Sequence, residues 1–499
     1  MKNYQMYIDG QWCDASDGRT TDVINPATEK AFARVPFGSV EDAGRAIKAA
    51  HNSFETGEWR NMDPAERSRI LLDVLKKFQE KSQDFAALET ENLGIPISQS
   101  ALINVSTAQN RFEWFAKAAN RVLEEPMPLF RGLAVAAPYI RREPVGVCAT
   151  IVPWNAPLVL GAQGLAAALA MGNSIVIKPA TIMPCSLIEL LKIIDESEIP
   201  KGVVNLVTGS GSTIGEVMAS HPLVDKVTFT GSTDVGKHVL SLASETLKNT
   251  TMELGGKSAV IFLDDTDVDL AVSSAIWGCF VNSGQICYAT TRALVPASMY
   301  DEFVEKLVEK VKRIKVGDPQ DNTTTMGPLV SEKQRATTEH YIEIGKNEGA
   351  RLACGGGRPE GLGKGYFIEP TVFVDVDNSM TIAQEEIFGP VLCVIKYSGD
   401  DEAVRLANDS PFGLLGAVFS KNIERAIGIA EKLRVGNVWI NELHFMSLDL
   451  PYGGIKQSGI GRERGLYGML NEYSEIKSIQ IDLGHDLSQR FWHGLIVPQ

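Results

Sequence analysis

The chain has 499 residues, 48 of them Lys or Arg against 62 Asp or Glu, for a formal net charge of −14. That length implies roughly two to four domains around a large core, and a balance of 44% hydrophobic to 22% charged residues excludes wholesale disorder. The acidic balance and the lack of a dense basic run disfavour nucleic acid as a partner.

In chain order, the opening "MKNYQMYIDGQW" has no basic segment followed by an apolar h-region. No run of about 18 apolar residues is available to span a bilayer, so a cytoplasmic protein without a membrane partner is expected. The seven cysteines (Cys13, Cys148, Cys185, Cys279, Cys287, Cys354 and Cys393) are scattered, with no CxxC and no Cys/His cluster. Such spacing opposes both a disulfide framework and a zinc site. No metal is expected, and the thiols should be reduced and mostly buried.

The first third reads as mainly helical. "DPAERSRILLDVLKKF" opens with Asp63 as N-cap, Pro64 at the first helical position and Glu66 at N3, and Ile70, Leu71, Val74, Leu75 and Phe78 follow at helical spacing. The helical run is over by Gly94 and Pro96. From about 145 to 262 short β-branched runs alternate with helices: "VGVCATIV", "NSIVIKP", "VVNLVTG", "KVTFTG" and "SAVIFL". Strands buried on both faces read this way, which predicts a doubly wound parallel sheet. A second alternating series, with a helix over 299 to 315 and strands at "TVFVDV" and "GPVLCVIKY", predicts a second α/β domain. Two segments fit neither: "GLAVAAPYIRREPVG" near 132 to 146 and "SEIKSIQIDL" near the end. Both read as extended pieces with unpaired edges that a partner subunit could cover.

Three strand-to-helix junctions of the first sheet are suited to a dinucleotide. "VVNLVTGSGSTIG" runs a strand into Gly209, Gly211 and Gly215; the spacing GxGxxxG is one residue longer than the usual fingerprint and, alone, reads more readily as a tight turn than as a phosphate loop. "KVTFTGSTDVG" supplies Gly231, Ser232 and Gly236 at a helix start. "IVIKPAT" ends a strand in Lys178, a cation suited to ribose hydroxyls or a phosphate. Together, at carboxyl ends of strands in one sheet, they favour a nucleotide crevice.

Reactive candidates come from three further segments. "VNSGQICYATTR" sets Cys287 among small and polar residues, although an isolated cysteine is more often a buried apolar residue. "ATIVPWNAPLVL" ends a strand just ahead of Asn155, whose amide can donate to a developing oxyanion or, equally, cap the helix that follows. "TTMELGGKSAVIFL" places Glu253 before Gly255 and Gly256, where a carboxylate is by default solvated or salt-bridged but can serve as a general base.

"PWN", "FTGST", "MELGGKS", "NSGQICYA", "EEIFGPV" and "PYGGIKQSGIGRERG", in this order and at these separations, resemble the aldehyde dehydrogenase superfamily of non-phosphorylating, NAD(P)-dependent enzymes, over essentially the whole chain. The resemblance implies an α/β fold with a Rossmann-like parallel-sheet cofactor domain (1–124 and 146–254). It adds an α/β catalytic domain (255–455) and a β oligomerisation extension (125–145 and 456–499), hence a homodimer or homotetramer. It makes Cys287 the nucleophile, Asn155 with the Cys287 backbone N–H the oxyanion hole, and Glu253 the base. Lys178 would contact the adenosine ribose, Ser232 the pyrophosphate and Glu386 the nicotinamide ribose, with Phe388 positioning the nicotinamide. Ile151, Pro153, Trp154, Ala180, Thr181, Gly211 and Gly215 would complete the cofactor site, with Phe229, Thr230, Gly231 and Leu254. The implied reaction joins the Cys287 thiolate to an aldehyde as a thiohemiacetal, passes hydride to NAD or NADP, and leaves a thioester for Glu253-activated water.

The chain departs from the common pattern in places. Thr181 stands where many NAD-preferring members carry a Glu that bonds the 2′-hydroxyl and repels a 2′-phosphate; NAD use with NADP tolerated is expected. Ala156 replaces a frequent bulky aromatic and Gln163 a frequent large or cationic side chain. A tunnel lined by these, Leu160, Ile286, Tyr288, Met446 and Tyr452 should admit a medium or bulky, aromatic or longer-chain aldehyde. Without a cation at position 163, an anionic tail is disfavoured. His444 reads as a surface or packing residue. Two rivals stand beside this reading: a CoA-acylating relative, which Glu253 disfavours, and a catalytically silent homologue, which intact Cys287, Asn155 and Glu253 disfavour.

Overall fold

The computed structural model describes residues 1–121, 124–131, 135–490, 492–493 and 495–496. The start of the expected extended segment, at 132–134, lies outside the described residues, as do parts of the expected domain ranges at 122–123, 491, 494 and 497–499.

The first third opens on strands that its short, polar runs did not announce: Met6–Ile8, Gln11–Cys13, Thr20–Asn25 and Lys30–Pro36. The helix after Asp63 spans Pro64–Glu80, with the Asp63 carboxylate accepting from the Ala65 N–H. Glu66, which the capping pattern directed back to the N-cap, instead pairs with Arg69. Ile70, Leu71, Val74, Leu75 and Phe78 form the buried face of this helix. A break at Lys81 starts a second helix, Ser82–Leu93, which ends at Gly94 with φ +82°, a left-handed turn that glycine makes at little cost.

The first large sheet has eight strands. Its centre is five parallel strands in the order Asn249–Glu253, Lys226–Thr230, Val147–Ile151, Ser174–Lys178 and Val204–Leu206. Met6–Ile8 and Gln11–Cys13 extend one edge antiparallel, and Gly459–Ile460 closes the other. Pairing is in register at the carboxyl ends: Ile151 lies opposite Lys178 and Phe229, and Thr230 opposite Glu253. Strand ends that read separately in the sequence therefore form one row. The helix Pro157–Ala170, apolar on all sides, is buried along its length behind that row.

The chain leaves this sheet at Glu253 and enters the second at Ala259–Phe262. The second sheet has seven strands, in the order Arg351–Cys354, Thr371–Val374, Val391–Tyr397, Arg292–Pro296, Ala259–Phe262, Leu415–Phe419 and Asn437–Ile440. All of its pairings are parallel except the first. The helix expected over 299 to 315 spans Tyr300–Val311.

The two misfit segments differ from expectation in one respect: they pair with each other. Val135–Pro144 and Ser474–Asp482 run antiparallel over nine register pairs, from Ser474 opposite Pro144 to Asp482 opposite Ala136. Glu124–Pro126 and Phe130–Arg131 also pair with Val135–Pro144, so among the described residues the open edges of this sheet are Ser474–Asp482 on one side and Glu124–Pro126 with Phe130–Arg131 on the other. Residues just after 456 belong elsewhere, because Gly459–Ile460 pairs with the first sheet. Among the described residues no helix is long and apolar enough to cross a membrane.

Candidate active site

A cavity of about 970 Å³ lies where the strand ends of the first sheet meet the loop ahead of Arg292–Pro296, and Asn155, Glu253 and Cys287 all line it. The loop carrying Cys287 is set by its predecessors. Asn282 and Ser283 adopt left-handed φ of 51° and 56°, rare for residues with side chains. Asn282 Nδ2 donates to the Asn155 carbonyl at 3.2 Å, and Ser283 Oγ to the Gly327 carbonyl at 2.9 Å. Gln285 Nε2 donates to the Asn282 carbonyl at 3.1 Å, while its Oε1 accepts from the Val330 N–H at 2.9 Å. A turn costing of order 1–3 kcal/mol per strained residue is held by these bonds.

Asn155 does not cap the helix behind it: Pro157–Ala170 has no side-chain cap bond. Its Nδ2 instead donates to the Gln285 carbonyl at 2.9 Å. An amide nitrogen has two hydrogens, so the other remains for an oxygen in the cavity. Glu253 is neither solvated nor salt-bridged. It is buried, its Oε1 has no hydrogen-bond partner, and burial, then the neighbouring Glu463, raise its pKa well above the ordinary carboxyl value. Cys287 is half-buried, like Cys13 and Cys354, whereas Cys148, Cys185, Cys279 and Cys393 are buried; all seven are free. Burial, followed by Glu386 and Glu253, pushes the Cys287 thiol up to about 12, against a smaller opposing effect of Arg464. That shift favours the protonated thiol, whose proton a base must take before the sulfur can act as a nucleophile.

The two glycines after Glu253 allow the site to close up. A Cβ on Gly255 would stand 2.4 Å from Glu386 Oε2, and one on Gly256 would stand 2.3 Å from the Cys287 carbonyl. Glu386 Oε1 accepts the Gly256 N–H at 2.9 Å, and burial raises this carboxyl to about 7. Phe388, at φ +57°, sets its ring edge-on to Trp154 at 5.1 Å.

Of the expected cofactor residues, Pro153, Trp154, Thr230, Gly231, Ser232, Leu254, Glu386 and Phe388 line the cavity. Ile151, Lys178, Ala180, Thr181, Gly211, Gly215 and Phe229 do not: Ile151, Lys178 and Phe229 belong to the row of strand ends, Ala180 and Thr181 follow Lys178, and Gly211 and Gly215 bound the helical turn after Val204–Leu206. A Cβ on Gly211 would meet nothing within 4 Å. Among the described residues the buried Lys178 ammonium donates only to the Pro179 carbonyl, at 3.1 Å, and burial lowers its pKa to about 8. Ser232 precedes the helix Thr233–Ser244 without capping it, leaving first-turn N–H groups for an anion. An open glycine turn, a spare cation, a free helix start and a carboxylate for hydroxyls suit a dinucleotide.

Of the expected substrate residues, Ala156, Leu160, Ile286, Tyr288, Met446 and Tyr452 line the cavity. Gln163 does not, which corrects the expectation that it widens the tunnel. Its amide is committed behind the wall, accepting from Arg111 Nη1 at 2.9 Å and donating to Glu463 Oε2 at 2.6 Å. Nor does the site lack a cation, as the residue at 163 led us to expect: Arg111 and Arg464 both line the cavity. His444 lines it too and packs its ring against Tyr288 at 5.2 Å and Trp277 at 5.5 Å. Burial lowers its pKa to about 4, so at neutral pH it is an uncharged packing residue. Arg111 and Trp114 were not foreseen. They sit three apart on the helix Ser106–Ala118, and that shared face was the available signal. Among the described residues no cluster of His, Cys, Asp or Glu is arranged for a metal.

A model described as the aldehyde dehydrogenase family matches residues 12–479. A betaine aldehyde dehydrogenase of Bacillus subtilis (strain 168) is 41% identical over 480 residues, 95% of this chain and 96% of that protein. The cytosolic aldehyde dehydrogenase 1 of Rattus norvegicus is 40% identical over 485 residues, 97% of this chain and 96% of that protein. A crystal structure of betaine aldehyde dehydrogenase from Staphylococcus aureus in complex with NAD+ superposes with a TM-score of 0.94 at 41% identity, covering 97% of this chain and 95% of that one.

Proposed function

Because the chain belongs to the aldehyde dehydrogenase family, we propose that it oxidises a medium or bulky aldehyde, aromatic ones included, to the carboxylic acid, using NAD and tolerating NADP. The observation that carries this reading is the one cavity that gathers Cys287, Asn155 and Glu253 beside the row of strand ends.

The sulfur of Cys287, its proton removed, bonds to the aldehyde carbon, and the carbonyl π electrons move to oxygen. The free Nδ2 hydrogen of Asn155 and the Cys287 N–H hold that oxyanion. When bound, the nicotinamide supplies the hydride acceptor that makes the reaction an oxidation. Lys178, Ser232, Glu386 and Phe388 hold and orient the dinucleotide, a role supported by their place along the strand ends and by the NAD+ complex of the S. aureus relative. Glu253 then takes a proton from water as its oxygen attacks the Cys287 thioester, releasing the acid and restoring the thiol. Burial and the neighbouring Glu463 raise its pKa, which makes its carboxylate a stronger base than an exposed one.

Ala156 stands beside Asn155 with only a methyl side chain, and Trp114, Trp277, Tyr288 and Phe445 line the same cavity with rings, which supports a bulky substrate. Two relatives are named for betaine aldehyde, a quaternary ammonium; Arg111 and Arg464 at the cavity disfavour that charge here. The reading keeps a cofactor domain, a catalytic domain and an extension. The open Ser474–Asp482 edge with exposed Val135, Ile476 and Ile481 supports assembly through the extension into a homodimer or homotetramer.

The test is cofactor reduction by acetaldehyde, octanal and benzaldehyde, with and without CoA, with the product identified by mass. Free acid formed without CoA supports the reading. A strict CoA requirement overturns the hydrolytic step, reduction with no aldehyde overturns the enzyme, and acetaldehyde outpacing both larger aldehydes overturns the size preference.

A further inference from the structure

Two guanidiniums line the cavity with no carboxylate directly against either. Arg111 comes from the helix Ser106–Ala118 and Arg464 from the residue before the helix Gly465–Tyr473; they are 5% and 3% exposed. Arg111 gives Nη1 to Gln163 Oε1 at 2.9 Å, and its buried Nε has no partner. Arg464 gives Nε to the same oxygen at 3.2 Å, contacts Met446 Sδ through Nη1, and rests 4.0 Å over the Tyr452 ring. One neutral amide oxygen thus serves two cations. Glu463, which also lines the cavity, accepts from the nitrogen of that amide at 2.6 Å and attracts both arginines without bonding either. Among the described residues neither arginine has a carboxylate oxygen within 4.0 Å.

Other charges at the cavity are accounted for. Glu113 pairs with Lys117 at 2.5 Å, and Asp449 accepts from Trp114 Nε1 at 2.9 Å. Glu253 and Glu386 belong to the reactive end. What remains is two guanidiniums with one carboxylate, Glu463, buried in the same wall and paired directly with neither, one negative charge short of balance until an anion completes it. Burial, and then repulsion from Arg464, lower the pKa of Arg111 to about 9.

We propose that Arg111 and Arg464 form a carboxylate-recognition subsite, so that the aldehyde oxidised here carries a carboxylate at the end remote from its carbonyl. The inference rests on the aldehyde-oxidising reading above and names its substrate class. Guanidinium forks suit a planar carboxylate, and the aromatic wall formed by Tyr288 and Trp114 would cover the linker between the two ends of the substrate.

The experiment compares kcat/KM for 4-carboxybenzaldehyde with that for 4-methylbenzaldehyde, in the wild type and in Arg111→Gln and Arg464→Gln. Charge-assisted bonds of this kind lead us to expect a preference of about 10-fold or more for the carboxylated aldehyde, mostly in KM. Each substitution should shrink that ratio by about 10-fold. An arginine acting only on the Cys287 thiol or on Glu253 would slow both aldehydes alike; an unchanged ratio therefore overturns the inference, as does equal use of the two aldehydes by the wild type. Calorimetry of the wild type with terephthalate and with 4-methylbenzoate needs neither turnover nor a variant. Tighter binding of terephthalate by about 10-fold supports the subsite even if no aldehyde is oxidised, and equal binding overturns it.

Discussion

Asn155 donates Nδ2 to the carbonyl of Gln285 at 2.9 Å, tying the end of a strand in the first sheet to the loop that carries Cys287. The bond aims the remaining amide hydrogen and steadies the loop at once. Asn155→Ala should lower kcat by about 10²–10³, the cost of one oxyanion donor, and lower stability by about 1 kcal/mol, the net worth of one buried hydrogen bond. Steady-state rates and denaturant unfolding measure the two losses separately. A kcat drop of less than about 10-fold would remove Asn155 from the oxyanion hole.

Cys287→Ala should abolish cofactor reduction, because no other half-buried cysteine reaches the cavity: Cys13 and Cys354 lie elsewhere. Glu253→Gln keeps the side chain's shape but cannot take a proton from water. Rapid mixing of this variant should give a burst of reduced cofactor near one equivalent per site and then a stall, with the acyl group detectable on Cys287 by mass. Steady turnover at the wild-type rate in either variant would defeat the assignment.

The strands "VGVCATIV", "NSIVIKP" and "KVTFTG" declared themselves through β-branched runs, and their shared row of carboxyl ends followed from the alternation of strand and helix. The strands Met6–Ile8 and Gln11–Cys13 did not, since three residues are too few to show a period. Cys287, Asn155 and Glu253 were legible as a set of ordered motifs. The contacts that tune them were not: Gln163 joins Arg111, Glu463 and Arg464 across about 50 and 300 residues of chain, and no local pattern records a bond of that span. Position 163 alone therefore pointed to a wider tunnel, while the fold turns it into a bracket for two arginines.

The pH dependence follows from burial. The reactive forms of Glu253 and Cys287 are the deprotonated ones, and burial raises both pKa values. Activity should rise with pH along a limb displaced above the ordinary carboxyl range, since each group becomes competent only as pH climbs through its raised pKa. Repulsion from Glu463 is the second cause of the Glu253 shift. Glu463→Gln should therefore move the limb for acyl-enzyme hydrolysis toward lower pH, measured as single-turnover thioester decay across a buffer series. A limb that stays put or moves upward would show that Glu463 does not act on Glu253 through its charge.

Thr181 turns its hydroxyl to the Gly209 carbonyl at 2.8 Å, so this turn offers no carboxylate to a ribose. A Glu here would accept from a 2′-hydroxyl and repel a 2′-phosphate. Thr181→Glu should therefore raise the NAD to NADP ratio of kcat/KM by about 10-fold or more, equivalent to ~1.4 kcal/mol of discrimination. Thr181→Val separates this effect from the hydroxyl bond: it removes the contact to Gly209 without adding charge, so it should cost about 1 kcal/mol of stability and leave the ratio where it was. If Thr181→Glu leaves the ratio unchanged, the second phosphate is read elsewhere in the crevice. If the wild type rejects NADP outright, some other group already repels it, and the tolerance ascribed to Thr181 is wrong.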